Sequence, residues 1–129
     1  MTHILVIEDE VKLARFLELE LNYQGYEVSV AYDELTAMIA TQKLRLDLII
    51  LDWMMPTLSH WEICHNLRSH AHNVPIILLA TKEKLSDNYV EVGADDFVCK
   101  PFDIEELLVK VYTHLHRTQQ VDAIDKSTT

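Results

Sequence analysis

Leu48-Ile49-Ile50-Leu51-Asp52 is a continuous apolar run that ends on a single carboxylate. A run of four apolar residues without alternation reads as a strand buried on both faces, the pattern of a parallel sheet covered by helices. Working outward, the same pattern recurs. Ile4-Leu5-Val6-Ile7 is followed by Glu8-Asp9, Ile76-Ile77-Leu78-Leu79 by Ala80-Thr81, and Phe97-Val98-Cys99 by Lys100-Pro101. Between the runs the period changes to that of helices. Residues 11–24 place Ala14, Leu17 and Leu21 on one face, and Gly25 follows as a C′ residue. Tyr26, Val28 and Val30 alternate with polar residues, so this strand is half-buried and belongs at an edge.

The remaining helices are read from their caps. Asp33 caps a helix to about Lys43. Ser59 and Glu62 have capping-box spacing and open a helix to about His70. A short fourth helix is expected over 85–92, before Gly93. Asp103 and Glu106 form a second capping box, ahead of a stripe of Ile104, Leu107, Leu108, Val111 and Leu115. Residues 119–129 lose this periodicity and read as a frayed tail or the start of a linker.

Five strand–helix units imply an α/β fold, a doubly wound five-stranded parallel sheet with five helices. Strand order 2-1-3-4-5 buries the continuous runs and leaves the alternating strand at an edge. Its switch point lies between strands 1 and 3, and ligands bind there at the carboxyl ends of the strands. Glu8, Asp9 and Asp52 all fall at that edge, with Lys100 nearby. Carboxylates gathered in this way repel one another unless a cation lies between them. Hard oxygen ligands suit Mg²⁺. Taken alone, Glu8-Asp9 could simply complement the dipole of the helix that follows.

Bulk properties narrow the function. The 129 residues suffice for one domain, and the formal net charge of −10 argues against this chain gripping a nucleic-acid backbone by itself. Two cysteines, Cys64 and Cys99, do not make a disulfide framework and read as reduced thiols. No apolar run is long enough for a membrane span, and the first residues have no basic leader, so a cytoplasmic protein is expected. Among the seven histidines, His60 stands four residues from Cys64, too few ligands for a transition-metal site. Trp53 and Trp61 read as packing or rim residues. No glycine-rich phosphate loop supports a flavodoxin-like nucleotide binder.

Four segments together resemble a two-component response regulator receiver domain, over about residues 2–118. They are Ile-Leu-Val-Ile-Glu-Asp-Glu (4–10), Leu-Asp-Leu-Ile-Ile-Leu-Asp-Trp-Met-Met-Pro (46–56), Val-Pro-Ile-Ile-Leu-Leu (74–79) and Gly-Ala-Asp-Asp-Phe-Val-Cys-Lys-Pro-Phe (93–102). The last segment and the helix after it are most similar to the OmpR/PhoB class, in which a winged-helix DNA-binding domain follows the receiver. The resemblance implies a flavodoxin-like (CheY-like) fold and a regulatory phosphoacceptor rather than an enzyme. Asp52 would accept a phosphoryl group from a sensor histidine kinase. Glu8, Asp9, Asp52 and the backbone carbonyl of Met54 would hold Mg²⁺. Lys100, in a cis bond to Pro101, would pair with Asp52 and then with the phosphoryl oxygens, and Phe97 would be the aromatic switch. Asp95, Asp96, Glu106, Lys110 and Arg117 would supply salt bridges to a homodimer through the fourth and fifth helices. DNA would be reached only through a domain absent from these 129 residues. The chain would be either an isolated receiver or one whose winged helix lies beyond residue 129.

The chain departs from the family's pattern in three ways. Ala80 and Thr81 stand in the reverse of the usual order, hydroxyl first and then alanine, so the hydroxyl is displaced by one residue. Thr57 and His60 stand where the loop after Asp52 usually carries glycines. The stretch from Asp87 to Gly93 is about two residues shorter than usual, which points to a short or irregular fourth helix. A pseudo-receiver, with the same fold but signalling through protein contacts without phosphorylation, therefore stays open. A phosphatase using Asp52 as nucleophile is a remote third reading, because Met54 stands where a second aspartate would be needed.

Overall fold

The computed structural model describes residues 1–56, 59–71, 73–85 and 93–127. Ten elements follow in strict alternation: β1 (His3–Ile7), α1 (Val11–Tyr23), β2 (Glu27–Ala31), α2 (Glu34–Lys43), β3 (Leu48–Asp52), α3 (His60–His70), β4 (Ile76–Ala80), α4 (Lys82–Leu85), β5 (Asp96–Cys99) and α5 (Ile104–Ser127). The sheet has the order β2-β1-β3-β4-β5, and all four strand pairings are parallel. This is the expected doubly wound sheet. β2 is an edge strand, with Val28, Ser29 and Val30 only half-buried.

Successive residues of a strand point to opposite faces, and two cores result. Leu5, Ile7, Ile49, Leu51, Ile76 and Leu78 face one way, onto Ala37 of α2 and Ile63 and Leu67 of α3. Ile4, Val6, Ile50, Ile77, Leu79 and Val98 face the other, onto Leu17 and Leu21 of α1 and Leu107, Val111 and Leu115 of α5. All five residues of β3 and of β4 are buried, which is why these runs carry no polar residue before their ends.

Local signals behave as read in most places. Asp33 Oδ1 accepts the Thr36 N–H at 2.7 Å and caps α2. Gly25 adopts φ of 95° just past α1. Asp103 Oδ1 accepts the Glu105 N–H at 3.0 Å, while Glu106 turns to Lys110 at 3.5 Å, so only half of that capping box forms. The Ser59–Glu62 box does not form. The Ser59 side chain makes no cap bond, and its N–H donates to Glu34 Oε1 at 3.3 Å, so α2 takes the donor that Glu62 would have used.

Two helices differ in extent from the reading. α4 begins at Lys82, three residues earlier than expected, and residues 86–92 of the expected helix lie outside the described residues. The backbone of α5 stays helical to Ser127, past residue 118 where the apolar stripe has ended. Residues 104–127 contain no glycine or proline to break it.

Candidate functional site

The strand register assembles the acidic edge. Ile7 pairs with Leu51, so the residue after each, Glu8 and Asp52, stand side by side where β1 and β3 end. The Glu8 N–H donates to the Ala31 carbonyl at 3.0 Å and the Trp53 N–H to the Leu79 carbonyl at 2.8 Å, which fixes both strand ends. On the far side the Lys100 N–H donates to the Ala80 carbonyl at 2.8 Å, and the Lys100–Pro101 bond is cis. The Lys100 ammonium lies on Asp52 Oδ2 at 2.7 Å. The Met54 N–H donates to Asp52 Oδ1 at 2.8 Å, so both oxygens of Asp52 are engaged.

One carboxylate oxygen from each of Glu8, Asp9 and Asp52 lies within 4.8 Å of the others. Glu8 is fully buried, Asp52 is 3% exposed, and Asp9 is open to solvent. Both Glu8 oxygens are buried without a hydrogen-bond donor. Burial pushes the Glu8 carboxyl up to about 9, and the neighbouring Asp52 carboxylate pushes the same way. Burial also opposes ionisation of Asp52. Hydrogen bonds from Lys100 and the Met54 N–H, with the Lys100 charge and the neighbouring Glu8 carboxyl, outweigh it and hold Asp52 below its ordinary value. As a carboxylate, Glu8 faces the Asp52 charge with nothing between them, so the pocket favours a proton on Glu8. A divalent cation can replace that proton. Two buried, donorless oxygens beside an exposed carboxylate form a hard-oxygen set that fits Mg²⁺. Asp52, ionised and neutralised on one side, is suited to act as a nucleophile.

The other expected residues lie around this centre. Ala80 is fully buried at the end of β4. Thr81 is half-buried, and its hydroxyl donates to the Met54 thioether at 3.9 Å rather than to Asp52. Phe97 is half-buried on β5. Lys110 Nζ lies 5.1 Å from the centre of its ring and donates to its carbonyl at 2.6 Å. Thr57 and the His60 side chain lie outside the described residues.

Four of the five charged residues expected at an interface, Asp95, Asp96, Glu106 and Lys110, pair within the chain. Asp95 Oδ2 accepts from Arg68 at 2.5 Å and from the Ile76 N–H at 2.8 Å. Asp96 meets His114 at 2.9 Å and Lys110 at 3.4 Å, and Lys110 also reaches Glu106. Arg117 is exposed. His114 and Arg68 were not singled out from the sequence. His114 had a faint signal, four residues after Lys110 on the same helix face. Arg68 had none, because its acceptors, the Gly93 and Val74 carbonyls and Asp95, lie beyond its own helix. Cys64 is buried, which raises its thiol to about 11; both cysteines are free. Among the described residues, no helix is long and apolar enough to cross a membrane.

Comparison with known proteins agrees with this geometry. Residues 4–112 match the family model of the response regulator receiver domain. The chain is 44% identical over 127 residues to the response regulator ArlR of Staphylococcus aureus, covering 97% of this chain and 58% of that protein. It thus spans a little over half the length of that relative. The receiver domain of the Francisella response regulator 1452 superposes with a TM-score of 0.81 at 32% identity, covering 92% of this chain and 99% of that one. The response regulator TrrA of Thermotoga maritima, solved in complex with Mg²⁺-BeF, superposes with a TM-score of 0.79 at 32% identity, covering 88% and 99%. A receiver from Methanospirillum hungatei, at 21% identity and a TM-score of 0.84, shares the fold. The chain belongs to the response regulator receiver domain family, whose members are regulatory phosphoacceptors rather than enzymes. Its acidic cluster around Asp52 is of the kind such a site needs.

Proposed function

We propose that Asp52 is the phosphoacceptor of a cytoplasmic receiver of the OmpR/PhoB class. The observation that carries this reading is the Lys100–Asp52 ion pair set against the donorless buried oxygens of Glu8. The donor is a phosphohistidine of a sensor kinase. An Asp52 oxygen forms the new P–O bond as the P–N bond to histidine breaks, and the imidazole leaves with the electron pair. Catalysis here is positioning plus neutralisation of the equatorial oxygens. Mg²⁺ bound to Glu8, Asp9, Asp52 and the Met54 carbonyl would supply positive charge to those oxygens; the Mg²⁺-BeF complex of the similar TrrA supports that assignment. Lys100 holds Asp52 ionised beforehand and then follows the charge onto the phosphoryl group. Phe97 is the element that reorients.

The output is altered self-association through the fourth and fifth helices, using Asp95, Asp96, Glu106, Lys110 and Arg117, and contact with a DNA-binding domain outside this chain. Residues 1–118 are the receiver unit and 119–129 the start of a linker. Surface pairs of this sort set register more than affinity. The test is incubation with Mg²⁺ and acetyl phosphate, followed by mass analysis of the intact chain and of an Asp52→Ala variant. One observation favours a second reading, a receiver that signals without phosphorylation: Ala80 offers only a methyl group at the end of β4, and it is fully buried.

A further inference from the structure

We propose that α1 is a second self-association surface, on which two copies of this chain pair their α1 helices antiparallel about a two-fold axis. α1 buries Ala14, Leu17 and Leu21 against the sheet. Its opposite face is largely apolar as well. Phe16, Leu19 and Tyr23 stand there, 36%, 51% and 86% exposed, with Lys12 at the head of the same stripe. Positions 12, 16, 19 and 23 are spaced by four, three and four residues, the spacing of a coiled-coil seam.

The charges on the helix select the occupant. Lys12 lies in the first turn with Arg15 just after it, while Glu18 and Glu20 lie in the C-terminal half. A helix dipole favours the reverse, acidic residues first and basic residues last, so this order weakens α1 on its own. Against an antiparallel copy the same order is complementary. A two-fold axis crossing α1 between Leu17 and Glu18 sets Phe16 on Leu19 of the second copy, and Lys12 on the ring of its Tyr23. On the flank, Arg15 is 2.7 Å from Glu18 of its own chain and comes beside Glu18 of the other. A parallel pairing would instead set Lys12 on Lys12 and Arg15 on Arg15. Isologous contacts of this kind close at two copies.

One face of a 13-residue helix covers less than a standard interface of about 800 Å² per partner. The net charge of −10 on each copy also opposes approach until salt screens it. The association is therefore weak, with a dissociation constant on the order of 0.1 mM. α1 lies over β1 and β2, whereas Asp96 lies on β5 at the opposite edge of the sheet. The seam uses no residue of the acidic site, so it forms without a phosphoryl group and does not depend on Asp52 as acceptor.

The test is sedimentation velocity of the intact chain in chelator, at about 0.15 M salt and from about 10 μM to about 1 mM protein. The wild type is expected to pass from monomer to dimer across that range. Leu19→Glu, at an exposed position, is expected to raise the dissociation constant by about tenfold or more with an unchanged thermal melt. Arg15→Glu and Glu18→Arg should each weaken association alone and recover it when the two variants are mixed, because mixing restores only the pair between copies. If L19E does not fold, the mixed charge variants decide alone. Orientation is read by cross-linking in a Cys99→Ser background. Leu19→Cys should be joined across the dimer by a short bismaleimide. Lys12→Cys should not, since its two copies stand about 16 Å apart along the antiparallel helices. Cross-linking of K12C in preference to L19C overturns the antiparallel pairing. A wild type that is monomeric at about 1 mM overturns the proposal and leaves the stripe to a partner other than this chain. An L19E protein that associates as the wild type does, or charge variants that fail to recover on mixing, overturn it equally.

Discussion

Glu8 is a carboxyl group with no exposed surface and no donor opposite it, beside an aspartate that is held ionised. Its folded-state value of about 9 lies above the 4.5 of an unfolded glutamate. Folded protein therefore holds a proton that unfolded chain has released, and metal-free stability falls as pH rises from about 4.5 towards 9. The predicted fall between pH 5 and pH 8 is on the order of 2–4 kcal/mol. Glu8→Gln keeps the neutral form at every pH. Denaturant titrations in chelator should show a pH-independent E8Q where the wild type weakens, and Mg²⁺ should restore the wild type at pH 8 without helping the variant as much. A wild type equally stable at both pH values contradicts the burial argument. The carboxylates were legible in the sequence because each follows an apolar run directly, and parallel strands deliver such residues to one edge. The proton balance between Glu8 and Asp52 was not, because it depends on how deeply each is buried.

At the scale of elements, Arg68 at the C-terminal end of α3 binds the Gly93 carbonyl at 2.9 Å and the Val74 carbonyl at 2.7 Å, and so ties α3 to the segments leading into β4 and β5. Gly93 has φ of 88°, and a Cβ there would lie 3.3 Å from Arg68 Cγ. Gly25 has φ of 95° with nothing within 4 Å. Both alanine substitutions should destabilise through backbone strain, each by about 1 kcal/mol. Gly93→Ala should cost more, by up to about 1 kcal/mol, because it also displaces Arg68. Equal unfolding midpoints for G93A and G25A would argue against the clamp. Strands and apolar helix faces could be read from period alone. The Arg68 clamp and the Glu34–Ser59 bond could not, since they join residues 25 apart that no local pattern pairs. Lys110 illustrates the same limit: its helix face was evident, but its place over the Phe97 ring comes from the packing of α5 on β5.

For the whole molecule, Asp95 and Asp96 are already occupied by Arg68, His114 and Lys110 within the chain. A dimer through this face must share or exchange those pairs, so its formation should depend on the phosphoryl group and on salt. Sedimentation of the chain with Mg²⁺ and beryllofluoride should show a heavier species than without, reduced in Asp96→Asn and by high salt. An unchanged sedimentation coefficient would argue against output through this face. The expectation of a phosphorylation-dependent dimer depends on Asp52 as acceptor. The most direct measurement is intact and peptide mass analysis after incubation with Mg²⁺ and acetyl phosphate. The account predicts one phosphoryl group per chain, located on Asp52, requiring Mg²⁺ and absent from D52A. No added mass in the wild type, or the same gain in D52A, would contradict it.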